Sequence, residues 1–62
     1  MDVTIENCGS LFLFRLLTDA ANNWVDEHVG AEAQFFAGGL VVEPRYAREL
    51  ATGLMESGLS VQ

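Results

Sequence analysis

Leu11-Phe12-Leu13-Phe14-Arg15-Leu16-Leu17, running straight into Thr18-Asp19, decides how this chain folds. The run is seven residues long and is broken only by Arg15. So short a run, apolar on both sides, is the pattern of a central strand covered on both sides or along most of its length. Side chains alternate along a strand. Phe12, Phe14 and Leu16 therefore share one face, and Leu11, Leu13 and Arg15 share the other. Arg15 implies that the second face reaches solvent or a carboxylate at that end. Thr18 is a good helix N-cap, and Asp19 suits the positive end of a helix dipole. The strand must therefore hand over to a helix at this point.

Upstream, residues 2–7 alternate. Val3 and Ile5 point one way, while Asp2, Thr4 and Glu6 point the other. That is a half-buried strand near a sheet edge. Asn7-Cys8-Gly9-Ser10 carries turn chemistry and closes a hairpin onto the central strand. Downstream, Ala21, Trp24, Val25, His28 and Val29 fall at helical spacing, with Asp19, Asn22, Asn23 and Asp26 opposite. Gly30 is a natural stop, which gives a first helix over about 19–29 with His28 on its packing side.

Residues 31–43 admit two descriptions. Gln34-Phe35-Phe36 and Leu40-Val41-Val42 form a hairpin about Ala37-Gly38-Gly39, or 31–36 is a connector and only 40–43 is a strand. The hairpin is the favoured one. Pro44 fits a first helical position. Tyr46, Ala47, Leu50, Ala51, Leu54 and Met55 then make an apolar stripe that ends at Gly58. Residues 59–62 alternate and predict a short last strand. The expected order is β-β-α-β-β-α-β: one α+β domain over residues 1–62, a two-layer sandwich with two helices on one mainly antiparallel or mixed sheet.

Composition limits function. The chain has 62 residues, half of them hydrophobic, so it is not a charge-dominated disordered segment. Nine acids face three bases, all arginine, for a net charge of −6. That argues against direct nucleic-acid binding, which needs a basic stripe. One cysteine and one histidine exclude a disulfide scaffold and a Cys/His zinc site. The unpaired Cys8 fits a reducing, cytoplasmic setting. No basic region precedes an apolar stretch, and the longest apolar run falls well short of the roughly 20 residues that span a bilayer. A chain this small is also in the range where self-association often adds stability, so a monomer or a homodimer is expected.

Catalytic constellations are not evident. Cys8 sits in a turn, and its one candidate base, His28, belongs to the packing stripe of the first helix. Gly38-Gly39 lacks the spacing and the lysine of a phosphate loop. Trp24, Phe35 and Phe36 have no basic neighbours in sequence with which to hold bases, so core packing is the expected role. Asp26 and Glu27 are adjacent and point about 100° apart on a helix. No catalytic, cofactor-binding or metal-binding residue is therefore expected, and no cofactor. The acids do form one pattern. Asp26 and Glu27 occupy the negative end of the first helix and Glu56 that of the second, whereas Arg45 and Arg48 sit near the second helix's positive end. Each placement is unfavourable by about 0.3–1 kcal/mol, and no lysine compensates. Uncompensated breaches of local rules tend to mark function. The plainer explanation is an acidic face kept for solubility.

Glu32-Ala33-Gln34-Phe35-Phe36 and Gly39-Leu40-Val41-Val42-Glu43-Pro44-Arg45-Tyr46 resemble a family of short uncharacterised proteins from phage and bacterial genomes. The opening Ile5-Glu6-Asn7-Cys8-Gly9-Ser10 and the closing Gly58-Leu59-Ser60-Val61 resemble its ends, so the likeness spans nearly the whole chain. That family supplies no activity. By analogy of size, charge and genomic habit, and not by any motif, small acidic proteins of mobile elements are often inhibitors of host defence, anti-CRISPR proteins among them. The analogy implies a non-enzymatic acidic inhibitor. It would compete with nucleic acid for a basic protein surface, such as a CRISPR effector subunit, through Asp19, Asp26, Glu27, Glu32 and Glu56. It implies no membrane partner. The alternative is a small self-associating accessory domain whose charge serves solubility. A contiguous acidic patch would favour the first, and a flat apolar patch or a free strand edge the second.

Overall fold

The computed structural model describes the backbone of all 62 residues and every side chain except that of Glu32. The apolar run at 11–17 supplies the second strand of four. In chain order the elements are β1 (Val3–Asn7), β2 (Phe12–Leu16), α1 (Asp19–His28), a 3₁₀ turn (Gly30–Glu32), β3 (Phe35–Phe36), β4 (Gly39–Val42) and α2 (Pro44–Glu56). The strands lie in the order β1-β2-β4-β3, each pair antiparallel. This is the expected α+β sandwich, with both helices packed on one side of the sheet.

Local chemistry sets both hairpins. Between β1 and β2 the Asn7 side-chain carbonyl accepts the Gly9 amide at 2.9 Å, and Gly9 takes φ +85°. This is an Asx-type turn with the positive φ that glycine allows. It sets Val3 opposite Leu16 and Ile5 opposite Phe14, which brings the apolar sides of both strands onto one face. Between β3 and β4 the loop is the two residues Ala37 and Gly38, at φ +53° and +78°. Two consecutive positive φ values match the twist of a two-residue hairpin. Glycine takes the second at no steric cost. Ala37 is a non-glycine residue in left-handed backbone, and the Arg15 Nη1 donates to its carbonyl at 2.9 Å.

One sheet face, with Val3, Phe14, Leu40 and Val42, packs against Ala21 and Val25 of α1 and Leu54 of α2. Ile5, Phe12, Leu16, Trp24, Leu50, Ala51 and Leu59 flank this core, partly buried. The other face carries no helix. Leu13 lies there between Glu6 and Val41 in register, and these neighbours leave it 5% exposed. Arg15 meets the Glu6 carboxylate at 3.5 Å on the same face, so of the two expected surroundings, solvent or a carboxylate, it finds a carboxylate at a partly exposed position.

Thr18 caps α1 as expected, its hydroxyl accepting the Ala21 amide at 3.2 Å. The same hydroxyl donates to Asp2 at 2.8 Å. Asp2 also accepts the Ser60 amide at 2.9 Å, so one carboxylate joins the start of β1, the start of α1 and the chain beyond α2. The start of α1 and the end of α2 therefore meet, and the helices run antiparallel. At mid-helix the Trp24 indole lies across Gly53 and donates to the Ser57 hydroxyl at 2.6 Å.

Several expectations change. The last strand contracts to a single parallel bridge between Val61 and Val3, because only Ser60 and Gln62 reach the β1 backbone. His28 is exposed, not a packing residue. Its ring stacks on Trp24 at 4.0 Å, and its Nδ1 lies 2.8 Å from the Trp24 carbonyl. Tyr46 and Met55, at the two margins of the α2 stripe, are 51% and 53% exposed, since the sheet is too narrow to cover the whole stripe. The central strand is covered by helices on one face only.

Candidate binding surface

The residues proposed to touch a partner sit on three elements. Asp19 and Asp26 are seven residues apart on α1, so they lie on one side of it, roughly 10 Å apart along the axis. Asn22 and Asn23 lie between them, with the Asn22 amide donating to the Thr18 carbonyl at 2.9 Å. Glu27 stands about 100° round the helix from Asp26. All three carboxylates are exposed. Glu56 is exposed at the end of α2, on the other helix. Glu32 closes the 3₁₀ turn after α1, and its side chain lies outside the described residues. The fold thus aligns Asp19 and Asp26, sets Glu27 beside them, and leaves Glu56 on a separate element.

Charge is distributed unevenly. The two ion pairs among the described residues are Glu6–Arg15 on the bare sheet face and Glu43–Arg45, at 3.3 Å, before α2. The Arg45 guanidinium also rests 5.0 Å from the Tyr46 ring centre. That local pairing offsets the dipole cost of Arg45 at the start of α2. α1, by contrast, carries three carboxylates and no arginine. Asp2 is occupied structurally. The Ser60 amide, and then the Thr18 hydroxyl, hold its carboxyl below the ordinary aspartate range.

Two concavities adjoin this surface. One, of about 690 Å³, opens between the C-terminal half of α1 and the first turns of α2, with Trp24, His28, Tyr46, Glu49 and Leu50 on its walls. The other, of about 410 Å³, lies between α1 and β3 and is lined by Asn22, Asn23, Asp26, Gly30, Ala31 and Phe35, among others. Cys8 is an exposed thiol in the β1–β2 turn, 3.9 Å from the Glu6 carboxylate, while His28 is engaged with Trp24 on α1. Among the described residues no three His, Cys, Asp or Glu side chains converge as a metal site, and no helix is long and apolar enough to cross a membrane.

Sequence reasoning placed Phe35 and Phe36 in the core, and the structure corrects this. Both are on the outermost strand, 60% and 70% exposed. A signal was present. Residues 33–42 contain no charged side chain, the longest such stretch in a strongly acidic chain. Hairpin length decided the matter, since a two-residue edge strand has nothing beyond it to bury against.

No protein-family model, no curated protein and no solved structure matches this chain.

Proposed function

We propose that this chain is a non-enzymatic, acidic protein-binding inhibitor that acts in the cytoplasm. The α1 surface would occupy a basic site otherwise held by nucleic acid. The observation that carries the reading is the uncompensated charge of α1. Asp19, Asp26 and Glu27 are exposed, and both ion pairs among the described residues lie elsewhere. Their axial spread of roughly 10 Å corresponds to about three nucleotide steps of a strand, so the same arginines and lysines can serve either ligand. By the analogy of small, acidic proteins of mobile elements, the class of target would be a host-defence complex, such as a CRISPR effector subunit.

The test uses immobilised protein and a host lysate cleared of nucleic acid. Capture of basic proteins should weaken steadily as salt rises from low to physiological strength and be lost well above it, because exposed charges are screened beyond about 8 Å at physiological strength. Added RNA or DNA should compete. Asp26→Lys combined with Glu27→Lys should reduce capture mainly through a slower association rate. The fold should survive, since positive charge suits the end of α1. Capture that ignores salt, nucleic acid and charge reversal would leave the acidic face with solubility as its role.

Self-association is the second reading, and the exposed Phe35 and Phe36 on the edge strand favour it. Sedimentation equilibrium separates the two. A dimer that persists in the double charge reversal and dissociates in Phe36→Lys would support self-association.

A further inference from the structure

The two edges of the sheet are treated differently. β1 is closed by the chain's own end. The Asp2 and Val3 amides donate to the Ser60 carbonyl, Ile5 donates to the Gln62 carbonyl, and Gln62 donates back to Val3. β3 has no such cover among the described residues. The Gln34 carbonyl accepts the Val41 amide at 2.8 Å, and Phe36 pairs with Gly39. Backbone groups alternate sides along an antiparallel strand, so the N–H and C=O of Phe35, between these two, face away from β4. Edges of this kind are usually guarded by charge, and here residues 33–42 carry none.

What lies beside the edge selects its occupant. Phe35 pairs with the core-facing Leu40, so its ring is on the helix side, where it helps to line the 410 Å³ concavity. The polar groups there are the Asp26 carboxylate and the Asn22 and Asn23 amides. Gly30 and Ala31, just past the end of α1, place the negative pole of that helix at the same spot. Of the three arginines, Arg15 is on the bare face and Arg45 and Arg48 belong to α2. A carboxylate, a helix C-terminus and an aromatic face all attract a cation.

We propose that β3 accepts an extended segment of a partner protein by strand addition, and that the concavity takes an arginine or lysine side chain of that segment. The partner residue directly opposite Phe35 exchanges two backbone hydrogen bonds with it and projects its side chain to the same side, over Asp26. The residues flanking that cation turn to the bare face, one opposite Phe36, which favours an apolar side chain, and the other opposite Gln34. The partner motif is therefore an apolar residue followed by a basic one in an extended conformation. A second copy of this chain fits less well. Two-fold pairing of β3 with itself would set two Asp26 concavities beside one seam, between molecules of charge −6 each. The proposal rests on the reading of α1 as the partner-binding surface, and it names where on that surface specificity arises.

The probe is a capped heptapeptide, Thr-Thr-Val-Arg-Val-Thr-Thr, titrated into isotopically labelled protein and followed by backbone amide shifts. Saturable shifts are expected at Ala31, Phe35 and Phe36. Replacing the arginine by citrulline, or Asp26→Asn in the protein, should weaken binding about tenfold. N-methylating the peptide's arginine amide should abolish it, since that amide donates to Phe35. Glu49→Gln, an exposed acid on the other helix that is not among the proposed contact residues, should change nothing. The proposal is overturned by no saturable binding, by equal binding of the citrulline or N-methyl peptide, or by shifts at Phe35 and Phe36 that grow with protein concentration alone. That last result would make a second copy the occupant. Capture of basic lysate proteins that stays dependent on Asp26 and Glu27, with no peptide binding, would remove the strand site and leave the acidic-face function standing.

Discussion

Replacing Gly53 with alanine tests the helix–helix contact most directly. Gly53 lies inside α2, where glycine costs about 0.8–1.0 kcal/mol relative to alanine. On propensity alone, Gly53→Ala would stabilise the protein by about 1 kcal/mol. The structure reverses the sign. A Cβ at this position would stand 3.2 and 3.3 Å from Cζ2 and Cη2 of Trp24, closer than carbon atoms pack comfortably. Two contacts hold the indole in place. Its Nε1 is tied to the Ser57 hydroxyl at 2.6 Å, and the His28 ring stacks on it with planes 13° apart. Overpacking of this kind costs about 1–3 kcal/mol, so the net outcome is a loss of about 0–2 kcal/mol, centred near 1. Urea unfolding followed by fluorescence of Trp24, the sole tryptophan, reads both stability and ring environment. Ser57→Ala releases the indole, so the cost of Gly53→Ala should shrink by at least about 0.5 kcal/mol in that background, a coupling typical of contacting residues. A gain of about 1 kcal/mol from Gly53→Ala alone would refute the claim that Trp24 is pinned across α2.

Three other outcomes are expected. Leu54→Ala empties the centre of the core and should cost about 2–5 kcal/mol in a urea melt; a loss under about 0.5 would mean that α2 does not pack on Phe14 and Val25 as described. Ala37→Asn should raise the urea midpoint by an amount equal to about 0.5–1 kcal/mol, because asparagine tolerates the positive φ that alanine resists, and a lower midpoint would count against a strained turn. Asp2 has its carboxyl lowered by the Ser60 amide and the Thr18 hydroxyl. A lowered folded-state value contributes stability above the unfolded value, about pH 3.9, and loses it as pH falls through the folded one. Wild type should therefore lose more stability than Asp2→Asn on acidification below about pH 4, and parallel acid profiles for the two would remove the clamp.

The elements of this fold follow from short-range patterns. Alternation in Val3–Glu6, the apolar run ending at Thr18, the stops at Gly30 and Gly58, and Pro44 at a helix start all act through the backbone of their immediate neighbours. These steric and hydrogen-bonding constraints are written within a few residues. They carried both helices and the strands of both hairpins to within a residue or two, but not the expected last strand, which is only a bridge at Val61, and for Arg15 they left solvent or a carboxylate open without naming Glu6. Periodicity, however, says only which side chains lie on the same side, not how far the opposite layer extends. Tyr46 and Met55 share the α2 stripe with Leu54, yet the sheet ends before it reaches them. Likewise Phe35 and Phe36 are apolar by sequence and exposed by position, because the order β1-β2-β4-β3 puts the shortest strand outermost. Packing geometry made that choice. Burial depends on what comes to rest opposite a residue, and for Phe35 that is Asp26 and the end of α1, brought beside the edge only when the chain has folded.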